Sequence, residues 1–198
     1  MTRVSQDTVL EHWLELERRK ADTPSFDTES LSEREMIDRL LRLKPGAASF
    51  VWRDAPIEWH RLTLSRRAFE RLRVVAGPDE LLWRALSPDG TILGAARRIQ
   101  DGDPDDLTAE TGVAVGRILS IRDDPPDEPI VLVDRRDCAP PRVADGNYRA
   151  TARALTLLET DEYDPVRAYL AVCPRPVLEP LRRRLCDAVR RLLGRRTW

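Results

Sequence analysis

The spacing of hydrophobic positions changes several times along the chain, and each change marks an element. Over residues 6–20, Val9, Trp13 and Leu16 recur at helical spacing with Asp7 placed to cap. They predict a helix that Pro24 ends. "SLSEREMIDRLLRL" predicts a second: Ser32 and Glu35 have capping-box spacing, Met36, Ile37, Leu40, Leu41 and Leu43 form an apolar side, and "KPG" stops it. The two helices are expected to pair as a hairpin or docking arm, an N-terminal helical extension over residues 1–50 ahead of a main domain over 51–198.

From Ile57 the period shortens. "IEWHRLTL" alternates as a strand does, and "SRRAFERLRVV" then predicts a helix carrying Phe69, Leu72 and Val75. "LLWRALS" and "TILGAARRI" flank "PDG" and read as the two strands of a hairpin. "DGDPDDLTAETG" is acidic and turn-rich, a loop with at most one helical turn, and "VAVGRILSI" reads as another strand. "PIVLVD" is a continuous aliphatic run with proline at its start, the pattern of a strand buried on both faces. A helix follows over 147–158, and "VRAYLAV" is a strand or short helix whose β-branched ends favour the strand. "RPVLEPLRRRLCDAVRRLLGRR" is amphipathic through Leu178, Leu181, Leu185, Val189 and Leu192. The expected class is α+β: a mixed β-sheet flanked by helices.

Composition narrows the function. The 198 residues are 41% hydrophobic, enough for one domain with a real core. Charged residues reach 34% yet cancel to a net −1, which disfavours a protein gripping nucleic acid by overall positive charge and leaves a local basic face open. Lys20 and Lys44 are the only lysines, so arginine is abundant and any single arginine says little. Cys138, Cys173 and Cys186 form no CxxC, and only His12 and His60 add imidazoles, so no metal site is expected from them. The start of the chain lacks the apolar centre of a signal peptide, and no run reaches membrane-spanning length. These features suggest a cytoplasmic protein with no membrane partner.

The stretch with the most chemistry is "RVADGNYRATARAL", Arg142 to Leu155. Gly146 permits a positive φ or a close backbone approach. A helix starting at Asn147 or Tyr148 presents N–H groups without intrahelical partners at the positive end of its dipole, which suits phosphate or carboxylate. Arg149 in the first turn adds a bidentate donor, although a cation there is mildly unfavourable for the helix. Asp145 is placed to cap the helix, to orient Arg149 or to hold a nucleotide-bound metal. The same residues also make an ordinary turn with a capped helix and a solvated arginine.

"PIVLVDRRDCAPPRVADGNYRATARAL" resembles the ParB/sulfiredoxin-like superfamily, whose members place "DGNHR", "DGHHR", "GERR" or "GGCHR" between an apolar strand and a helix. The resemblance covers roughly residues 129–172, with compatible strands back to Ile57. It implies that fold and a phosphate cradle of Gly146, Asn147, Tyr148 and Arg149, with Asp145 as acidic partner. It further implies a nucleotide (ATP, ADP or CTP) bound with Mg²⁺, or another phosphorylated small molecule, in a phosphotransferase or nucleotide hydrolase. Tyr148 stands where the histidine of "DGNHR" would be, removing an imidazole acid or base, and Asn147 stands where sulfiredoxin has its cysteine. Sulfinic acid reduction is thereby disfavoured. The second phosphate motif and the helix-turn-helix domain of partition proteins are absent from the sequence.

Three other features carry weaker signals. Glu58 and His60 share one face of the first long strand, where Glu58 would serve as a general base. The arginines between 182 and 196 suit nucleic-acid phosphates, the basis of an alternative reading as a nucleic-acid-binding protein or nuclease. A third reading is a non-enzymatic regulator with a degenerate site. Trp52, Trp59 and Trp83 are expected in the core.

Overall fold

Strands β1 (Thr2–Val4), β2 (Glu58–Thr63), β3 (Ile130–Asp134), β4 (Arg142–Asp145) and β5 (Arg167–Val172) form one mixed sheet in the order β1-β2-β5-β3-β4. β3 and β5 run parallel, and the other neighbours are antiparallel. The computed structural model describes residues 1–20, 23–24, 26–28, 30–52, 56–135 and 139–173. The C-terminal amphipathic segment with its arginines, and Cys138 and Cys186, lie outside the described residues. Among those described, no helix is long and apolar enough to cross a membrane.

The continuous apolar run of β3 serves two cores at once, because alternate residues face opposite sides. Ile130 and Leu132 join Val143 and Ala168 on one face, while Val131 and Val133 join Ala144, Tyr169 and Ala171 on the other. The second face is covered by α1 (Gln6–Arg18), α2 (Glu33–Leu43) and α3 (Pro45–Trp52). Leu10, Trp13, Leu14 and Leu40 are fully buried there. The first fifty residues thus supply a layer of the core. Ser32 and Glu35 close the expected capping box. Pro45 both stops α2 and begins α3, since proline needs no donor at a helix's first position.

The first face is covered by α4 (Arg66–Phe69), α5 (Leu82–Leu86), α6 (Ile92–Asp101), α7 (Pro104–Thr111), α8 (Val115–Asp123) and α9 (Asn147–Thr160). Several sequence expectations fail here. The strands expected around "PDG" are the helices α5 and α6: Asp89 Oδ1 accepts from Thr91 N at 2.8 Å, and the Thr91 hydroxyl caps Gly94 N at 2.8 Å. Ile92, Ala95, Ala96 and Ile99 are buried, a three-and-four spacing that belongs to a helix. The expected strand over 113–121 is α8, and the expected loop over 101–112 holds α7, capped by the Asp103 side chain and ended by Gly112 at φ +73°. The helix expected over 65–75 stops after Phe69. Arg73 instead bridges Thr91 and Arg142. Of the three tryptophans expected in the core, Trp59 and Trp83 are buried and Trp52 is half-buried.

Candidate functional site: the β4–α9 junction

A β-bulge aims the site. Val131 pairs with Asp145 and Leu132 with Val143, which leaves Ala144 as the extra residue of β4. Residues opposite each other across a ladder share a face, so Asp145 follows Val131 toward the N-terminal helices. There it meets Lys44, the residue between α2 and α3. Lys44 Nζ pairs with Asp145 Oδ1 and, at 3.2 Å, with Glu17 Oε1; Lys20 pairs with the other oxygen of Glu17. Both lysines of the chain therefore enter one network. A lysine ammonium is a compact point charge with three donors, which suits a place between two carboxylates. Glu17 and Asp145 are buried, at 3% and 6% exposure.

Arg149, in the first turn of α9, closes the other side. Its Nη2 donates to Asp145 Oδ2 and to Pro129 O, each at 3.2 Å. His12 lies 3.2 Å from the same carbonyl and, because a carbonyl only accepts, carries its proton on Nε2. Arg149 Nε is buried with no hydrogen-bond partner. Arg149 also lines a small recess together with Asp127, Glu128, Ile130, Arg153 and Arg167.

The electrostatics follow from burial and pairing. Burial alone would raise the Asp145 carboxyl, but the charges of Lys44 and Arg149 overcome it and hold the group below the ordinary carboxylate range. Burial likewise opposes the charged form of Lys44, and Asp145 and Glu17 overcome it, raising the ammonium. His12 goes the other way: desolvation favours the neutral ring, the Pro129 bond opposes that, and the nearby Arg149 charge reinforces it, so its pKa is lowered.

Gly146 is demanded by its backbone and by its neighbours. It sits at φ +93°, and a Cβ there would stand 2.7 Å from Ile130 Cγ2 and 3.0 Å from Arg149 Nη2. It is the N-cap of α9, and no side chain caps that helix. Asn147 is buried: its Oδ1 accepts from Val75 N at 3.0 Å and its Nδ2 donates to Val143 O at 3.3 Å. The Tyr148 hydroxyl accepts from Ala114 N at 3.3 Å, and its ring meets Trp83 edge-on at 5.0 Å with the Arg117 guanidinium 5.1 Å from its centre.

The residues from Asp145 to Arg149 are thus brought together, but the side chains of Asn147 and Tyr148 are spent on the fold. Glu58 is not brought to them. It pairs with Val172, which is level with Asp134, whereas Asp145 is level with Val131, and β5 and β3 stand between β2 and β4. Three strand spacings separate the two strands by about 14 Å. Glu58 lies 3.9 Å from His60 at a partly exposed position. A Mg²⁺ ion does not fit the junction: each Asp145 oxygen already faces a cation, and among the described residues no cluster of three or more acidic, histidine or cysteine side chains could hold a metal. Sequence reasoning missed Lys44, Glu17, Lys20 and His12, and the only signal was that an arginine-rich chain keeps just two lysines. Comparison of the chain with protein-family models, curated proteins and solved structures finds no match.

Proposed function

We propose that the chain is a nucleotide-binding protein of the ParB/sulfiredoxin-like kind that takes a phosphate of its ligand at the N-terminus of α9, with Arg149 as the anchoring cation. The observation that carries this reading is the state of Arg149. Nη2 is held by Asp145 and Pro129, while Nε is buried without a partner beside a helix start that no side chain caps. A buried orphan donor is costly, and an anion would repay it. The α9 dipole and first-turn amides favour the same charge.

Asp145 acts in this reading as a positioning residue. Its carboxylate fixes the Arg149 fork and is itself fixed by Lys44, so it neither abstracts a proton nor holds Mg²⁺. With Glu58 three strands away, the geometry favours binding over phosphoryl transfer, which accords with Tyr148 in the histidine position of the related motif. Equilibrium titration with ATP, ADP, CTP and GTP, each with and without Mg²⁺, tests the reading. Saturable binding lost in Arg149→Ala and indifferent to Mg²⁺ chelation supports it. No binding at about 10 mM ligand, or binding unchanged in Arg149→Ala, overturns it.

A further inference from the structure

We propose a second anion site, separate from Arg149, formed by Arg73 and Arg84 across the Gly90 turn and suited to the phosphoryl or pyrophosphoryl group of a small molecule. Gly90 is buried at φ +72°, and a Cβ built on it would collide with Arg84 Nη1 and stand 3.0 Å from Arg73 Nη2. Two guanidiniums therefore converge on one point of backbone. Arg73 Nε and Arg84 Nη1 are both buried and both lack a hydrogen-bond partner.

The charges around them do not neutralise the pair. Arg84 spends Nε and Nη2 on Asp79 Oδ1, and that carboxylate is 84% exposed and screened by solvent. Arg73 has no carboxylate within ion-pair distance among the described residues. Asp89, on the same turn, directs its oxygens to Ser87 and Thr91.

Like charges left converging and partly desolvated are stabilised by an anion that accepts from both, and paired guanidinium forks match the oxygens of a phosphoryl group. A duplex or single strand needs a track of cations. Two guanidiniums meeting at one glycine instead suit a single compact anion. The place is tied to the α9 junction, since Val75, two residues on from Arg73, donates to Asn147, and Trp83, beside Arg84, packs on Tyr148.

Titration of the full chain with inorganic pyrophosphate tests the site. Saturable binding is expected, weakened about ten- to a hundredfold by Arg73→Gln and by Arg84→Gln and unchanged by Arg71→Gln at an exposed neighbour. Arg149→Gln leaves this event in place, which separates it from the site proposed at α9. In phosphate-free buffer Arg73→Met raises the melting temperature by relieving the like charges, whereas an arginine serving only the fold would lower it on removal. Absence of pyrophosphate binding, binding indifferent to Arg73→Gln, or a lower melting temperature in Arg73→Met overturns the proposal. A DNA oligonucleotide that binds through Arg73 more tightly than pyrophosphate also overturns it.

Discussion

Replacing Lys44 by methionine removes a cation that pairs Glu17 of α1 with Asp145 at the β4 bulge. Lys44 lies 3.2 Å from Glu17 and pairs with Asp145 as well. A unit-charge pair at that separation is worth about 5 kcal/mol at an effective dielectric of about 20 before desolvation is counted. The loss will not be the full sum of two such pairs. Glu17 keeps Lys20 and Asp145 keeps Arg149, and the buried ammonium no longer has to be desolvated. Two carboxylates under a tenth exposed are nevertheless left short of a partner, and breaking buried pairs from one side costs about 3–5 kcal/mol. The low end, about 3 kcal/mol, applies here, which lowers the melting temperature by about 6–12 °C for a chain of this size. Urea unfolding at neutral pH measures it, provided the slope with denaturant is unchanged. Asp145→Asn added to Lys44→Met should cost at least about 1 kcal/mol less than the two separate losses combined. A loss under about 1 kcal/mol in Lys44→Met, the value of a solvated surface pair, would show that the network does not bind the layers together.

Gly146→Ala places a methyl 2.7 Å from Ile130 Cγ2 in a left-handed backbone. It should destabilise by about 2–3 kcal/mol, and a urea midpoint equal to wild type would contradict that origin for the glycine. His12 has its folded pKa lowered below 6.5, so the unfolded chain binds the proton more readily. The stability it leaves intact above 6.5 is lost as pH falls through that value toward the folded pKa. His12→Gln should flatten the pH dependence of unfolding in that window, and an unaltered profile would refute it. Asp145 is depressed below 3.8. Its contribution is present above that value and lost as acid titrates the folded carboxyl, so Asp145→Asn should be relatively least damaging at the acid end of the profile.

How much could be read from the sequence depended on how local each signal was. β3 was legible because its aliphatic residues run without interruption, and β5 only through the β-branched ends that favour a strand over a short helix. α1, α2 and α9 were legible because apolar spacing repeats within each segment, with a capping box added at α2 alone; α1 is capped by Ser5 rather than by Asp7. The stretch from Leu81 to Ile121 was misread for a physical reason. Its helices are short, three of the four bury only two residues each and so show little helical period, and "PDG" joins two helices as readily as two strands. At the site, Asp145 and Arg149 are one helical turn apart, so their pairing was open to inspection. Lys44 comes from 101 residues upstream. Only the bulge at Ala144, which turns Asp145 toward the N-terminal helices, brings the two together, and nothing in the local sequence around either residue announces it.

The most direct test of an anion at the α9 N-terminus is backbone amide NMR of the full chain during titration with CTP and, in parallel, ATP. The amides of Asn147, Tyr148 and Arg149 and the Arg149 Nε–H should shift together and saturate with at least one of the two nucleotides. Arg149→Lys, which keeps the charge and loses the fork, should weaken that event about tenfold. Amides at the start of α9 that stay unmoved at saturation, or shifts confined to other parts of the chain, would contradict a phosphate site there.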